Sequence, residues 1–513
     1  MMRAKLWQAM IVATLVVASS VLPSPALAAK RGSPKIDEMP LARWAKLRET
    51  ERYQLNLSEK IWRENNYVGA AAEYEKFLSL YESSEGASFA QLKWSMCQVH
   101  LKKLNTAIKD GYQTVIDYWP DSPEAIAAAY LIGKTYKDMG DIPLAKKAYQ
   151  NVLTKHGDET VGMLAKIDLA EIARIEQDPS KQIAMLKEVV FKTERDADTR
   201  RYCVEASRTL AMLSFAQGAF VDGKDSFATT YQEPELSYWV WHDVRGPISQ
   251  LVGVPETKEK GLKLADAAIA YFQPLIPAAA QDDAEKNRVR QVSYYIADAH
   301  AAAARAAEAG KVFDDLLQKL GNDDDVLSRY ATWLKTQTRR ADARNMFARM
   351  KNQIEGQYQL AYMLREENKH LEAVPIYQDL LAKDAEHAQR WQWQIAEAYR
   401  EAGKHTEAIA SYQLCDNFPT NLERIAGCYR AMKQWPQAIA TYTQILGGYE
   451  SSAPGALLQI GYTQEAAGQS ESAIKTFQQV CKRFPKAGEA SQAHTHLNNK
   501  YNILITLGGA KSE

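Results

Sequence analysis

The sequence predicts an all-α solenoid of stacked antiparallel helix pairs, arranged as two arrays joined by an irregular helical section. Three observations predict it. A small residue, a second small residue twelve positions on and an aromatic four further recur along the chain. Turn-forming residues, often glycine, stand between the two small ones. The chain has 513 residues, 46% hydrophobic and 25% charged, which is an ordinary folded composition in a chain too long for one compact core.

The N-terminus reads as an export signal. Arg3 and Lys5 precede an almost wholly apolar stretch from Leu6 to Leu22, and Pro23-Ser-Pro-Ala-Leu-Ala28 supplies small residues for cleavage before Ala29. The expected segments are a signal peptide over 1–28, a flexible lead over 29–40 and an N-terminal array over 41–230. An irregular helical joint over 231–325, a C-terminal array over 326–507 and a tail over 508–513 follow. Localisation outside the cytoplasm, periplasmic or secreted, is the expectation, with no transmembrane segment once the signal is removed.

The N-terminal copies are Ser58, Ala70 and Tyr74; Gly133, Ala145 and Tyr149; and Ala211, Gly223 and Phe227. Weaker ones sit near Ser95 with Ala107 and near Ala170 with Leu186. The C-terminal copies are Ala331, Ala343 and Phe347; Ala361, Ala373 and Tyr377; Ala396, Ala408 and Tyr412; Ala426, Ala438 and Tyr442; and Gly461, Ala473 and Phe477. Two helices cross closely only where each offers a small side chain, and the aromatic fills the gap beside the crossing. Gly140, Gly403 and Gly468 fall where the first helix must end in a left-handed residue. Pro419 and Pro485 are expected to end second helices. Between the arrays, Tyr231 to Gly261 contains Glu233-Pro234, Gly246-Pro247 and Val254-Pro255 and reads as loop.

Leu131-Ile-Gly133-Lys-Thr-Tyr136 and Ile460-Gly461, each followed by its Ala and aromatic, resemble the tetratricopeptide repeat family, over most of Leu55 to Leu497. Tyr74 to Ser88 and Phe477 to Ala493 also resemble its exported subgroup, which includes the outer-membrane assembly lipoprotein and the Tol-Pal cell-division coordinator. No lipid-attachment cysteine follows the signal, and no N-terminal coiled-coil heptad is present. The resemblance implies a concave face lined by first helices that binds a protein or an extended peptide.

Chemistry is sparse in the sequence. Zinc-protease, nucleophile-elbow, phosphate-loop and dinucleotide patterns are all lacking, so no enzyme and no cofactor is expected. The five cysteines, Cys97, Cys203, Cys415, Cys428 and Cys481, form neither a disulfide framework nor a metal spacing, and only Cys415 and Cys428 suggest a bridge. His494 and His496 point about 200° apart on a helix and read as a surface pair, not metal ligands. Asp323-Asp-Asp325 reads as a helix cap near Val326. Lysine and arginine balance aspartate and glutamate at 63 each, which gives no support to a nucleic-acid partner.

Two regions are candidate sites. On the face implied by the resemblance, Lys335, Arg365, Arg400 and Arg430 occupy one phase of four successive repeats. Tyr358, Tyr362, Arg390, Trp393 and Tyr462 share that face by helical spacing. Guanidinium forks interleaved with aromatics suit an extended peptide carrying carboxylates. The alternative is a solvated face balanced by Glu366, Glu397 and Glu401. The second region is Tyr238-Trp-Val-Trp-His-Asp243. It reads as a hydrophobic plug, as a platform for a glycan or polymer in an export component, or as an enzyme site using His242 and Asp243. The expected function is therefore an exported, non-enzymatic scaffold that docks a protein partner in cell-envelope assembly or maintenance.

Overall fold

The computed structural model describes residues 35–506. The segment expected to be a signal peptide, most of the expected lead and the tail lie outside the described residues. Two compact units are resolved: one runs to Leu275 and includes Asp298–Arg305, and the other holds Ile276–Ala297 and the described residues from Ala306 on. Among the described residues the chain is helix joined by turns, without a β-strand, and no helix is long and apolar enough to cross a membrane.

The first unit pairs Glu49–Arg63 with Tyr67–Leu80, Pro123–Asp138 with Ile142–His156 and Thr160–Ile175 with Pro179–Lys192. Ala87–His100 pairs with the helical stretch 104–118, and Arg200–Ala216 with Phe220–Ala228. The second unit pairs Asp324–Thr336 with Arg340–Ala348, Gln353–Glu366 with His370–Lys383 and Ala388–Glu401 with His405–Tyr412. Thr420–Ala431 then pairs with Trp435–Gly448 and Ala453–Ala466 with Ser470–Arg483, and Gly488–Tyr501 closes the stack. Each unit is a helix-pair solenoid.

The predicted phase is the packing phase. Ser58, Ala70, Ala145, Ala211, Ala331, Ala361, Ala373, Ala396, Ala408 and Ala473 are all fully buried. A methyl group built on Gly133 would come within 2.7 Å of the Tyr149 ring, and one on Gly461 within 2.6 Å of Phe477. The aromatic therefore lies directly over the small residue of the first helix, and nothing larger fits beneath it.

The irregular copies have physical causes. After Ser95 and Ala107 the aromatic position is Gly111, and the aromatic stands one residue late, at Tyr112. Residues Ala107–Tyr112 adopt a π-helical turn, whose extra residue carries the ring of Tyr112 into the core, where it is 1% exposed. A further copy went unread inside the stretch expected to be irregular: Ala297, Ala309 and Phe313 keep the same offsets and are all buried. The turns after first helices share a left-handed residue. It is glycine at Gly403 and Gly468, but Lys102, Gln177, Thr338 and Lys433 adopt the same backbone without glycine. At Gly403 the next N–H, of Lys404, donates back to Tyr399 O at 2.9 Å, closing the helix.

Three expectations are corrected. Tyr231 to Gly261 is not a loop: Glu235–Gly253 is a continuous helix containing Pro247. Ser237, Val240, Val244 and Ile248 bury one stripe of it at spacings of three and four, and that packing outweighs the proline. Pro419 does not end a second helix but stands at the N-cap of Thr420–Ala431, well after His405–Tyr412 has finished. The lead is not loose up to Pro40, because Met39 is 6% exposed and Ile36 packs against a core cluster. All five cysteines are free and buried, Cys415 and Cys428 included. Asp323 caps its helix as expected, accepting from Val326 N at 3.1 Å.

Candidate partner-binding face

The four cations of the ladder stand on successive first helices, and each is already engaged. Lys335 Nζ pairs with Glu366 at 2.8 Å and lies 5.7 Å from the Tyr362 ring centre. Arg365 grips Glu401 through two bonds, Nε at 2.9 Å and Nη2 at 2.7 Å, and also donates to Gln394. Arg400 donates to Glu397 at 2.6 Å and lies 3.7 Å from Glu401. Arg430 donates to Gln459 at 2.6 Å. Three of the four therefore reach forward to the next first helix, and the row fastens neighbouring repeats together. Glu366, Glu397 and Glu401 are the balancing carboxylates, through both cross-repeat and same-helix pairs.

Burial opposes the charge of Arg365, but its bonds to Glu401 outweigh this and raise its pKa. The same pair holds the Glu401 carboxyl below its ordinary range, against the opposing effect of burial. For Arg400 the bond to Glu397 comes first and again raises the value, with burial opposing. Glu397 also accepts from the Tyr412 hydroxyl at 2.5 Å and lies 3.2 Å from Arg424. Three groups, Arg400, Tyr412 and Arg424, thus converge on one carboxylate.

The aromatics divide. Arg390 lies over Tyr358 at 4.4 Å and over Trp391 at 4.7 Å, with its guanidinium at the surface. Tyr362 keeps 42% of its surface exposed. Trp393 packs edge-on to Tyr412, and Tyr462 joins Phe477 and His496, so both belong largely to the packing. His496 Nε2 lies 2.9 Å from the Glu465 carboxylate, both side chains being partly buried. Among the described residues, no group of three His, Cys, Asp or Glu side chains is placed to hold a metal ion.

Beside the ladder lies a groove of about 570 Å³, edged by Arg400, Arg424, Glu423 and Glu489, with Gly427 and Gly455 among its walls. Arg400 and His405 are among its lining residues, and the Arg400 Nε and His405 Nδ1 atoms are buried without a hydrogen-bond partner. Sequence reasoning missed Arg424, Gln394, Gln459 and these glycines. One signal was present: Gln394 and Gln459 each follow their arginine by the same 29 positions, as 394 − 365 and 459 − 430.

In the first unit the Tyr238–Asp243 stretch is helical and its tryptophans are engaged. Trp239 stacks on Tyr231 at 5.5 Å under the Arg208 guanidinium at 4.3 Å. Trp241 donates to Asp298 at 3.0 Å beneath Arg245 at 4.1 Å. His242 Nδ1 lies 2.6 Å from Asp243 Oδ1, with the imidazole half exposed.

Two family models, both described as tetratricopeptide repeat, match the chain, one at residues 127–158, 420–452 and 455–487 and the other at 358–421. No curated protein matches it. Solved structures similar to it include the C-terminal part of a TPR repeat-containing protein from Cytophaga hutchinsonii, at 15% identity and TM-score 0.31 over 53% of this chain and 97% of that one. Yeast Tom70 is similar at 15% identity and TM-score 0.25, over 87% and 95% of the two chains. Naa15/Naa10 bound to HypK-THB is similar at 13% identity and TM-score 0.33, over 88% and 71%.

Proposed function

We propose that the chain is a non-enzymatic scaffold that holds a protein partner against the first helices of its second unit, with an extended, carboxylate-bearing peptide segment in the groove beside the ladder. One observation carries this reading. Arg400 Nε and His405 Nδ1 are buried without a partner, on two side chains that line that groove, whereas buried polar atoms are ordinarily satisfied. Arg400 Nε is a donor, and a ligand carboxylate or backbone carbonyl that enters the groove and displaces the groups covering it supplies the acceptor it lacks. Repeat packing supports a scaffold, because each helix pair buries its apolar face only against its neighbours and leaves a long surface open. The tryptophans of the 238–243 stretch are already held by tyrosine, arginine and aspartate, which supports the plug over a glycan platform.

A photocrosslinking residue at Gly427, which has open space around its Cα, is expected to trap a protein partner in native cells. The same residue at the exposed Lys482 of a second helix is the control. Changing Arg365 and Arg400 together to Ala is expected to weaken capture at least tenfold, about 1.4 kcal/mol, and raised salt is expected to weaken it further. Equal capture from both positions, or undiminished capture by a folded double variant, argues against the reading.

Export completes the proposal, on the charged, apolar and small-residue layout of residues 1–28, with work in the cell envelope. Mass spectrometry of the mature chain is expected to find Ala29 as its first residue. A chain still beginning at Met1 in the membrane fraction overturns that.

A further inference from the structure

The first unit carries a second polar face that the proposed function does not use. Lys93, on the first helix Ala87–His100, is only 3% exposed, which is rare for a lysine. Its ammonium lies 4.4 Å over the Trp62 ring and 3.4 Å from Glu59, whose carboxylate also accepts from the Tyr74 hydroxyl. The remaining partner is Asp37, at 3.6 Å, from the segment that precedes the helices. Trp62 stands four residues after Ser58, the register position that Lys335, Arg365, Arg400 and Arg430 hold in the second unit. The two faces are therefore the same surface of the repeat.

The segment from Ile36 to Lys46 crosses three first helices. Ile36 packs against the cluster containing Ala127 and Tyr130, and Met39 enters the one containing Leu55 and Phe89. Arg43 reaches Glu124 at 2.7 Å and Ser88 at 3.2 Å, and Trp44 meets Phe89 edge-on. Cavities of about 450 and 470 Å³ are both lined in part by Glu38, so the segment only partly fills the surface it lies on.

We propose that this face of the first three helix pairs is a second peptide-docking surface, selective for an apolar–acidic–x–apolar segment, and that Ile36-Asp-Glu-Met39 occupies it in cis. The chemistry of Lys93 fixes the preference. A buried cation left with a carboxylate it shares with a tyrosine is under-compensated, and an incoming carboxylate restores the balance. Tethering gives the cis segment an effective concentration in the millimolar range, so an outside segment binds appreciably only when the lead is weakened or outcompeted.

The test uses the full chain and a labelled synthetic peptide of residues 35–46, read by fluorescence anisotropy. The lead variant carries Asp37→Lys and Met39→Glu, two positions that lie outside the helix pairs. It is expected to bind the peptide at least tenfold more tightly than the unaltered chain, and to reject a peptide that itself carries Asp37→Lys. Adding Lys93→Met to the lead variant should abolish binding while circular dichroism stays unchanged. Equal binding by variant and unaltered chains, or equal binding of the two peptides, overturns the proposal. So does loss of helix in the lead variant, which makes the segment a fold-completing cap.

Discussion

Phe477→Ala is expected to destabilise the second unit by about 3–5 kcal/mol, measured by chemical denaturation. The ring is fully buried, lies over Gly461 and meets Tyr462 at 5.1 Å and His496 at 4.9 Å. Its removal opens a cavity where the last pair meets the closing helix Gly488–Tyr501. Because repeats contact mainly their neighbours, the damage is expected to stay local. Hydrogen exchange should show Gly488–Tyr501 opening while Gln353–Glu366 keeps its protection. A companion substitution reverses sign. Gly461→Ala alone drives a methyl into the ring, although alanine gains about 0.8–1 kcal/mol of helix propensity over glycine. With Phe477→Ala already present, the same methyl enters vacated space and should stabilise. A Phe477→Ala loss below about 1 kcal/mol, or additive effects of the two changes, would sink the assigned packing.

That crossing was legible in the sequence because steric demand repeats with the fold. Gly461, Ala473 and Phe477 keep their offsets in copy after copy, since a closer or wider pair of helices fails to pack. Where the backbone itself absorbs a change, the pattern blurs. Tyr112 reaches its place through a π-helical turn, and Lys433 takes a left-handed turn that the sequence would assign to glycine. Pro247 concealed a helix whose stripe of Val240, Val244 and Ile248 was visible at helical spacing. The ladder's register was readable, and so were its balancing carboxylates Glu366, Glu397 and Glu401, but which cation takes which partner was not. Glu401 lies 36 positions from Arg365 and Gln459 lies 29 from Arg430, so one spacing does not find both. Polar partners follow side-chain length and rotamer, which vary from repeat to repeat while the crossing stays fixed.

Asp168→Ala is expected to cost the first unit about 3–5 kcal/mol, although nothing in the sequence singles that residue out. Its side chain is largely buried on Thr160–Ile175 and accepts from the Tyr130 hydroxyl at 2.8 Å and the Tyr149 hydroxyl at 2.9 Å. It also pairs with Lys137, so one carboxylate joins three successive helices. Burial pushes both tyrosine hydroxyls well above their ordinary range and Asp168 adds to this, so they remain protonated donors. Alanine strands both hydroxyls and the ammonium at once. Asp168→Asn keeps an acceptor oxygen and the volume, and is expected to cost less, about 1–3 kcal/mol. Replacing Tyr130 and Tyr149 by Phe in the Asp168→Ala background removes the stranded hydroxyls and should recover part of the loss. If Asp168→Ala unfolds no more easily than Asp168→Asn, or the two phenylalanines recover nothing, the hydroxyls are not what the carboxylate is holding. The stability of that junction then rests on its apolar contacts alone.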